Sequence, residues 1–208
     1  MVSIPYIICS VLSFIPALVL HEVAHGFAAY KLGDPTAKRS GRLSLNPLKH
    51  IDPFGTVILP LLLMVMGWPV FGYAKPVPYN PRYFKDPRRD DVIVAGPSAN
   101  LAMAALAAAV AWGCSGLVSN PAFANNELFA YFYVMFLPTF ALINLYLAFF
   151  NLLPIPALDG CKLLFLAWEG LTGHPVPLRA QGFINTAGMV ALLWLMILVT
   201  MQDITRFL

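Results

Sequence analysis

The sequence predicts an all-α integral membrane protein: a bundle of four spanning helices plus a re-entrant or fifth apolar segment, with a short β-hairpin as a further option. Three observations carry this. Of the 208 residues, 59% are hydrophobic and only 11% charged, against about 25% charged in soluble chains. Four apolar stretches each reach the roughly 20 residues that a helix needs to cross a bilayer core. Lys and Arg gather in particular loops, which is how a chain that crosses a membrane several times is oriented. The net charge of +3 is small and gives no reason to expect nucleic acid as a partner.

The four stretches are about 5–30, 92–118, 129–153 and 182–202. The first has no basic residue ahead of it, since the first Lys or Arg is Lys31; it reads as a retained span rather than a cleaved leader. A fifth apolar stretch, 54–71, is shorter and carries Pro60, Gly67 and Pro69. Residues 31–53 hold Lys31, Lys38, Arg39, Arg42 and Lys49, and residues 72–91 hold Lys75, Arg82, Lys85, Arg88 and Arg89, whereas 119–128 holds no Lys or Arg. Short basic loops stay on the cytoplasmic side, so both basic loops belong inside and 119–128 outside. That assignment makes 54–71 a hairpin entering and leaving by one face, which is tolerated where protein shields its backbone. On length alone a fifth ordinary span is an equal alternative. The hairpin is favoured because it returns the end of 129–153 to the side where the first span ends. The chain shows no internal repeat, low-complexity tract or linker, and reads as one domain over 1–208. Cys9, Cys114 and Cys161 are an odd count without CxxC spacing, so neither a disulfide framework nor a Cys-based zinc site follows.

Residues 21–25 read His21-Glu22-Val23-Ala24-His25. Positions i and i+4 share one helix face, so the two imidazoles can hold one zinc ion while Glu22 sits near a water on that ion and can take its proton. The alternative is three satisfied structural groups. Three ionisable residues within five positions of an apolar span need a joint explanation, because such residues are costly in a membrane, and a metal supplies one. Measured from Lys31, His25 lies about 9 Å and His21 about 15 Å inward along the helix.

Catalytic zinc usually takes three protein ligands. Among the carboxylates and imidazoles left, Asp159 is the best candidate. It follows two helix-breaking prolines, Pro154 and Pro156, in a stretch with no other charge, and Gly160 permits a sharp turn beside it. An equal alternative is that Asp159 caps a helix over 160–168. His50 and His174 read as loop residues, and Cys161 as packing.

HEVAH in a first apolar span together with Asn151-Leu-Leu-Pro154-Ile-Pro156-Ala-Leu-Asp159-Gly160 after a later one resembles the site-2 proteases, intramembrane zinc metalloproteases of the peptidase M50 type. The segments GRLSLNPLKHIDPFGT, KPVPYNPRYFKDPRRD and GPSAN resemble the small prokaryotic group of that family, and the likeness runs from about residue 15 to 170. The resemblance implies one zinc per chain on His21, His25 and Asp159, Glu22 as general base, and Asn151 holding substrate backbone or oxyanion. It gives Asn100, in GPSAN, a lesser supporting role beside the plainer reading of an interhelical hydrogen bond. It further implies a membrane-protein substrate with a transmembrane helix, such as a membrane-anchored transcription regulator or a remnant signal peptide, and a multi-pass location in a prokaryotic cell membrane. No segment of these residues matches the PDZ domain that many site-2 proteases carry. The extended Phe71–Asn80 stretch is a candidate edge for strand addition by an unwound substrate. Two other functions stay open: a membrane zinc carrier, because intramembrane His and Asp also mark ion paths, and a non-catalytic chaperone that binds membrane helices.

Overall fold

A computed structural model describes residues 4–53, 58, 75–80, 83–84, 90–118 and 120–207. The described residues are helical, with no strand among them. The anticipated 54–71 hairpin, and most of the second basic loop, lie outside the described residues. The chain divides into two compact units, one of Met1–Pro47 with Val77–Asn151, the other of Leu48–Pro76 with Leu152–Leu208.

The first unit is built on three long helices. Helix α1 spans Ile4–Lys31 and ends at a turn where Gly33 adopts φ 108, a conformation open to glycine at no steric cost. A short helix α2, Thr36–Arg39, follows. Asp34, fully buried, organises this corner: its carboxylate accepts from the Thr36 N–H at 2.9 Å and from the Thr36 hydroxyl and the Asn80 N–H. Residues 75–80 run without regular structure. Helix α3 spans Asp90–Cys114 and closes in a 3-10 turn, Ser115–Leu117.

The expected outer loop 119–128 forms two single-turn helices, α4 (Pro121–Ala124) and α5 (Glu127–Ala130), because Asn120 and Asn126 each place a side-chain oxygen on a backbone N–H of the first turn. Each such cap is worth about 1 kcal/mol. A π-helical stretch, Tyr131–Phe136, leads without a break into α6, Leu137–Leu152.

Among the described residues, three helices are long and apolar enough to cross a membrane: Ile4–Lys31, Val92–Leu117 and Glu127–Leu152. They match three of the four expected spans closely. Their packing is inverted relative to a water-soluble bundle. Ile8, Val11, Leu12 and Phe14 of α1 are exposed, while Ser13, His21 and His25 on the same helix are buried. Polar groups inside and large apolar groups outside is the arrangement that lipid as solvent selects. Helix α1 packs chiefly on α3, whose Ala95, Gly96, Ser98, Ala99 and Ala102 keep its side chains short enough for close approach.

The second unit contains all but the first residue of a 3-10 turn, Pro47–His50, helix α7, Asp159–Thr172, and helix α8, Leu178–Phe207. Helix α8 covers the fourth expected span, 182–202. Helix α7 ends at Gly173, which takes φ 72 as a left-handed cap. His174 is exposed in the turn beyond, as expected, with its N–H on the Thr172 hydroxyl. His50 is buried, and its carbonyl accepts from the Lys75 N–H at 3.0 Å.

Candidate metal centre

HEVAH falls in the C-terminal half of α1, and the i, i+4 spacing does what it predicts. His21 and His25 are both buried, with their Nε2 atoms 3.1 Å apart. The backs of the rings decide what those atoms carry. His25 Nδ1 lies 2.6 Å from the Val92 carbonyl oxygen, which can only accept, so this nitrogen holds the ring proton. His21 Nδ1 lies 2.6 Å from Asn100 Oδ1 and likewise donates. In the neutral rings both Nε2 atoms therefore present lone pairs, and neither can donate to the other. Two lone pairs at that separation repel unless a cation bridges them. This is the tautomer that a metal-binding imidazole needs, with the second nitrogen tied to a carbonyl or amide oxygen.

Space for a cation is kept open by Gly96 on α3. A Cβ built there would sit in hard contact with Nε2 of both rings, 2.6 Å from that of His21. The missing side chain thus leaves a cradle at the point where both lone pairs meet. The small-residue reading of GPSAN anticipated close helix packing; the structure adds that Gly96 keeps the ring nitrogens uncovered.

Asp159 opens α7 rather than capping it. The N-cap is Leu158, in extended conformation with no side-chain cap bond, and the helix starts at Asp159, one residue before the expected 160–168. The Asp159 side chain is buried, and its Oδ1 pairs with Lys162 Nζ at 2.8 Å, one turn along. The loop before it is held on α8: the Ala157 N–H donates to Asn185 Oδ1 at 3.3 Å, and Gly188 leaves room for Pro156. Ala157 itself takes φ 76, uncommon for a residue with a side chain. Gly160 is required for a different reason than the expected sharp turn. A Cβ there would collide with the carbonyl oxygens of Leu152 and Leu153. Cys161 is buried, and that burial pushes its thiol up. His21 and His25 belong to the first unit and Asp159 to the second; each is buried and offers an atom that can bind a metal ion.

Glu22 accepts from the Val77 N–H at 2.9 Å through Oε2. Gly26, one turn on, lets Val77 seat against α1, since a Cβ there would meet Val77 Cγ1 at 2.6 Å and Leu43 Cδ2 at 2.9 Å. Asn151 donates through Nδ2 to the Leu147 carbonyl at 2.9 Å, so one of its two N–H groups is turned back on its own helix. Asn100 is fully buried, and its Nδ2 donates to the Ala17 carbonyl at 3.2 Å and to Asn144 Oδ1 at 2.8 Å. Asn144, also fully buried, was not singled out in the sequence. The signal that could have found it was an amide side chain inside a helix as apolar as α6.

The sequence profile of Peptidase family M50 matches residues 9–195. A Bacillus subtilis (strain 168) protein named "Putative zinc metalloprotease YwhC" is 40% identical over 185 residues, covering 86% of this chain and 77% of that protein. Zinc metalloprotease RasP of Shouchella clausii (strain KSM-K16) is 47% identical over 66 residues, 32% of this chain and 16% of RasP. The regulator of sigma-E protease RseP of Escherichia coli (strain K12) is 45% identical over 73 residues, 35% of this chain and 16% of RseP. No solved structure matches. With a profile match across most of its length, the chain belongs to peptidase family M50, the site-2 protease family that its motifs resemble.

Proposed function

We propose that this protein is a membrane zinc metalloendopeptidase that hydrolyses a peptide bond in or near the transmembrane segment of a membrane-protein substrate. The observation that carries the reading is the pair of buried imidazoles with both Nε2 lone pairs facing one cradle at Gly96. His21, His25 and Asp159 would hold one zinc ion. Zinc held there would supply Lewis-acid polarisation of the scissile carbonyl.

The chain's own residues do the rest. Glu22 takes the proton of the attacking water and later returns it to the leaving amine. The Val77 N–H holds one carboxylate oxygen of Glu22, which fixes the direction in which the other faces. Asn151 retains one amide N–H beyond its bond to Leu147 and offers it to the substrate's carbonyl oxygen as charge develops. The Phe71–Asn80 stretch, with Pro76 and Pro78, would serve as the edge that holds the unwound substrate, and the bond from its Val77 N–H to Glu22 supports this. The topology consistent with the loop charges has four spans with α8 as the last, a re-entrant 54–71 segment, and the metal site toward the cytoplasmic face of a prokaryotic cell membrane.

The general-base assignment is tested by Glu22→Gln. The variant keeps zinc, since Glu22 is no ligand, and loses cleavage of a single-span substrate by about 10²–10⁴-fold. Retained cleavage with zinc in place would remove Glu22 from the mechanism. Zinc transport into proteoliposomes by the wild type, without peptide cleavage, would replace the protease reading with the carrier.

A further inference from the structure

We propose that Asn144 is a positioning residue for the metal centre: through Asn100 it fixes the ring proton of His21 on Nδ1 and so keeps the Nε2 lone pair aimed at the metal. This rests on the zinc reading above.

The inference follows from hydrogen-bond polarity, traced from a group whose polarity is fixed. Asn144 Nδ2 lies 2.8 Å from the Phe140 carbonyl oxygen, four residues back on α6. A carbonyl oxygen only accepts, so the nitrogen of Asn144 must face it. That leaves Oδ1 of Asn144 turned toward α3, where it accepts from Asn100 Nδ2 at 2.8 Å. The same nitrogen donates at 3.2 Å to the Ala17 carbonyl on α1. With its nitrogen held between two acceptors, Asn100 presents Oδ1 to His21 Nδ1 at 2.6 Å. An amide oxygen has no proton to give, so His21 Nδ1 carries one and Nε2 does not. Flipping Asn100 would set its oxygen against the oxygens of both Ala17 and Asn144. The Asn144 bond is the shorter of the two that resist this flip. Both asparagines are fully buried within helices that can cross a membrane, so no bulk water stands in if a partner is removed.

Three helices thus take part. Ala17 lies one turn before His21 on the same face of α1, Asn100 comes from α3 and Asn144 from α6. A residue needed only for packing at this depth would be apolar, and Asn144 is worth its place through the polarity it passes on.

The test uses the full chain in detergent micelles, with zinc affinity measured by chelator competition for wild type, Asn144→Leu and Asn144→Asp. Leucine fills the space and removes the acceptor. Aspartate in its protonated form gives its hydroxyl to the Phe140 carbonyl and still offers its other oxygen to Asn100. Asn144→Leu is expected to bind zinc about tenfold or more weakly, and Asn144→Asp close to wild type. In metal-free protein labelled with ¹⁵N-histidine, the His21 proton is expected on Nδ1 in wild type and Asn144→Asp, and shared between the two nitrogens in Asn144→Leu. Thermal unfolding of both variants gives the control, since a merely structural residue would make zinc affinity follow stability in both. Unchanged affinity and tautomer in Asn144→Leu, or equal weakening in the two variants, overturns the proposal. A wild type that binds no zinc would fail the metal reading itself, an outcome distinct from either.

Discussion

Gly96 and the two histidine rings form one device. Each ring is tethered at the back by a 2.6 Å hydrogen bond, to Asn100 or to Val92, so neither can retreat from an atom that presses on its Nε2. Gly96→Ala supplies such an atom. The variant is expected to fold, since alanine is the better helix former by about 1 kcal/mol, and to lose zinc affinity by at least about tenfold, the scale on which disturbed ligand orientation acts. Equilibrium dialysis with ⁶⁵Zn reads this directly, and normal zinc binding would show that the cradle is not where the metal sits. At this scale the sequence was legible wherever rare residue types fell at a meaningful spacing. HEVAH announced itself because three ionisable groups share one turn of an apolar helix. Asn144 did not, because its partners lie 44 residues away on α3 and, through it, on α1. Only the meeting of three helices gives it a function.

At the scale of the element, the segment from Leu152 to Gly160 is shaped by close backbone approach rather than by its prolines alone. The alternative of Asp159 as helix cap meets a helix whose N-cap is Leu158 and whose first residue is Asp159, with its carboxylate on Lys162 one turn along. Gly160→Ala forces a Cβ against two backbone carbonyls that have no flexible end to move. It is expected to displace the start of α7, lower the thermal unfolding midpoint by several degrees, and weaken zinc binding through Asp159. Overpacking of this kind costs about 1–3 kcal/mol. An unfolding midpoint equal to wild type would mean that the loop can yield. Helix existence and bounds were largely readable: the 5–30, 92–118 and 129–153 stretches match the membrane-capable helices Ile4–Lys31, Val92–Leu117 and Glu127–Leu152 within a few residues. The single-turn helices α4 and α5 were not read from the 119–128 loop, because their stability comes from the caps Asn120 and Asn126 rather than from any apolar period.

For the whole molecule, the membrane is the solvent that makes the arrangement sensible. A helix that exposes Leu12 and Phe14 while burying Ser13, His21 and His25 would be unstable in water and is at home in lipid. Loop charge then predicts its orientation. Substituted-cysteine labelling with a membrane-impermeant maleimide on intact cells is expected to modify Asn125→Cys from outside and Ser40→Cys only after permeabilisation, both positions being exposed. The reverse pattern would invert the orientation, and labelling of both from one side would break the span count between them. Fold class and family were readable because hydropathy and ordered motifs survive in one dimension. The polarity of the hydrogen bonds behind the histidines did not, because it depends on which oxygen and which nitrogen meet across helices.

The most direct test of the central claim is zinc stoichiometry in the purified full chain, measured by mass spectrometry for wild type, His21→Ala, His25→Ala and Asp159→Ala. One zinc per chain in wild type, lost or sharply reduced in each variant, is the predicted result. Full zinc retention in His21→Ala and His25→Ala would contradict it, because the two lone pairs at the Gly96 cradle would then not be what holds the metal.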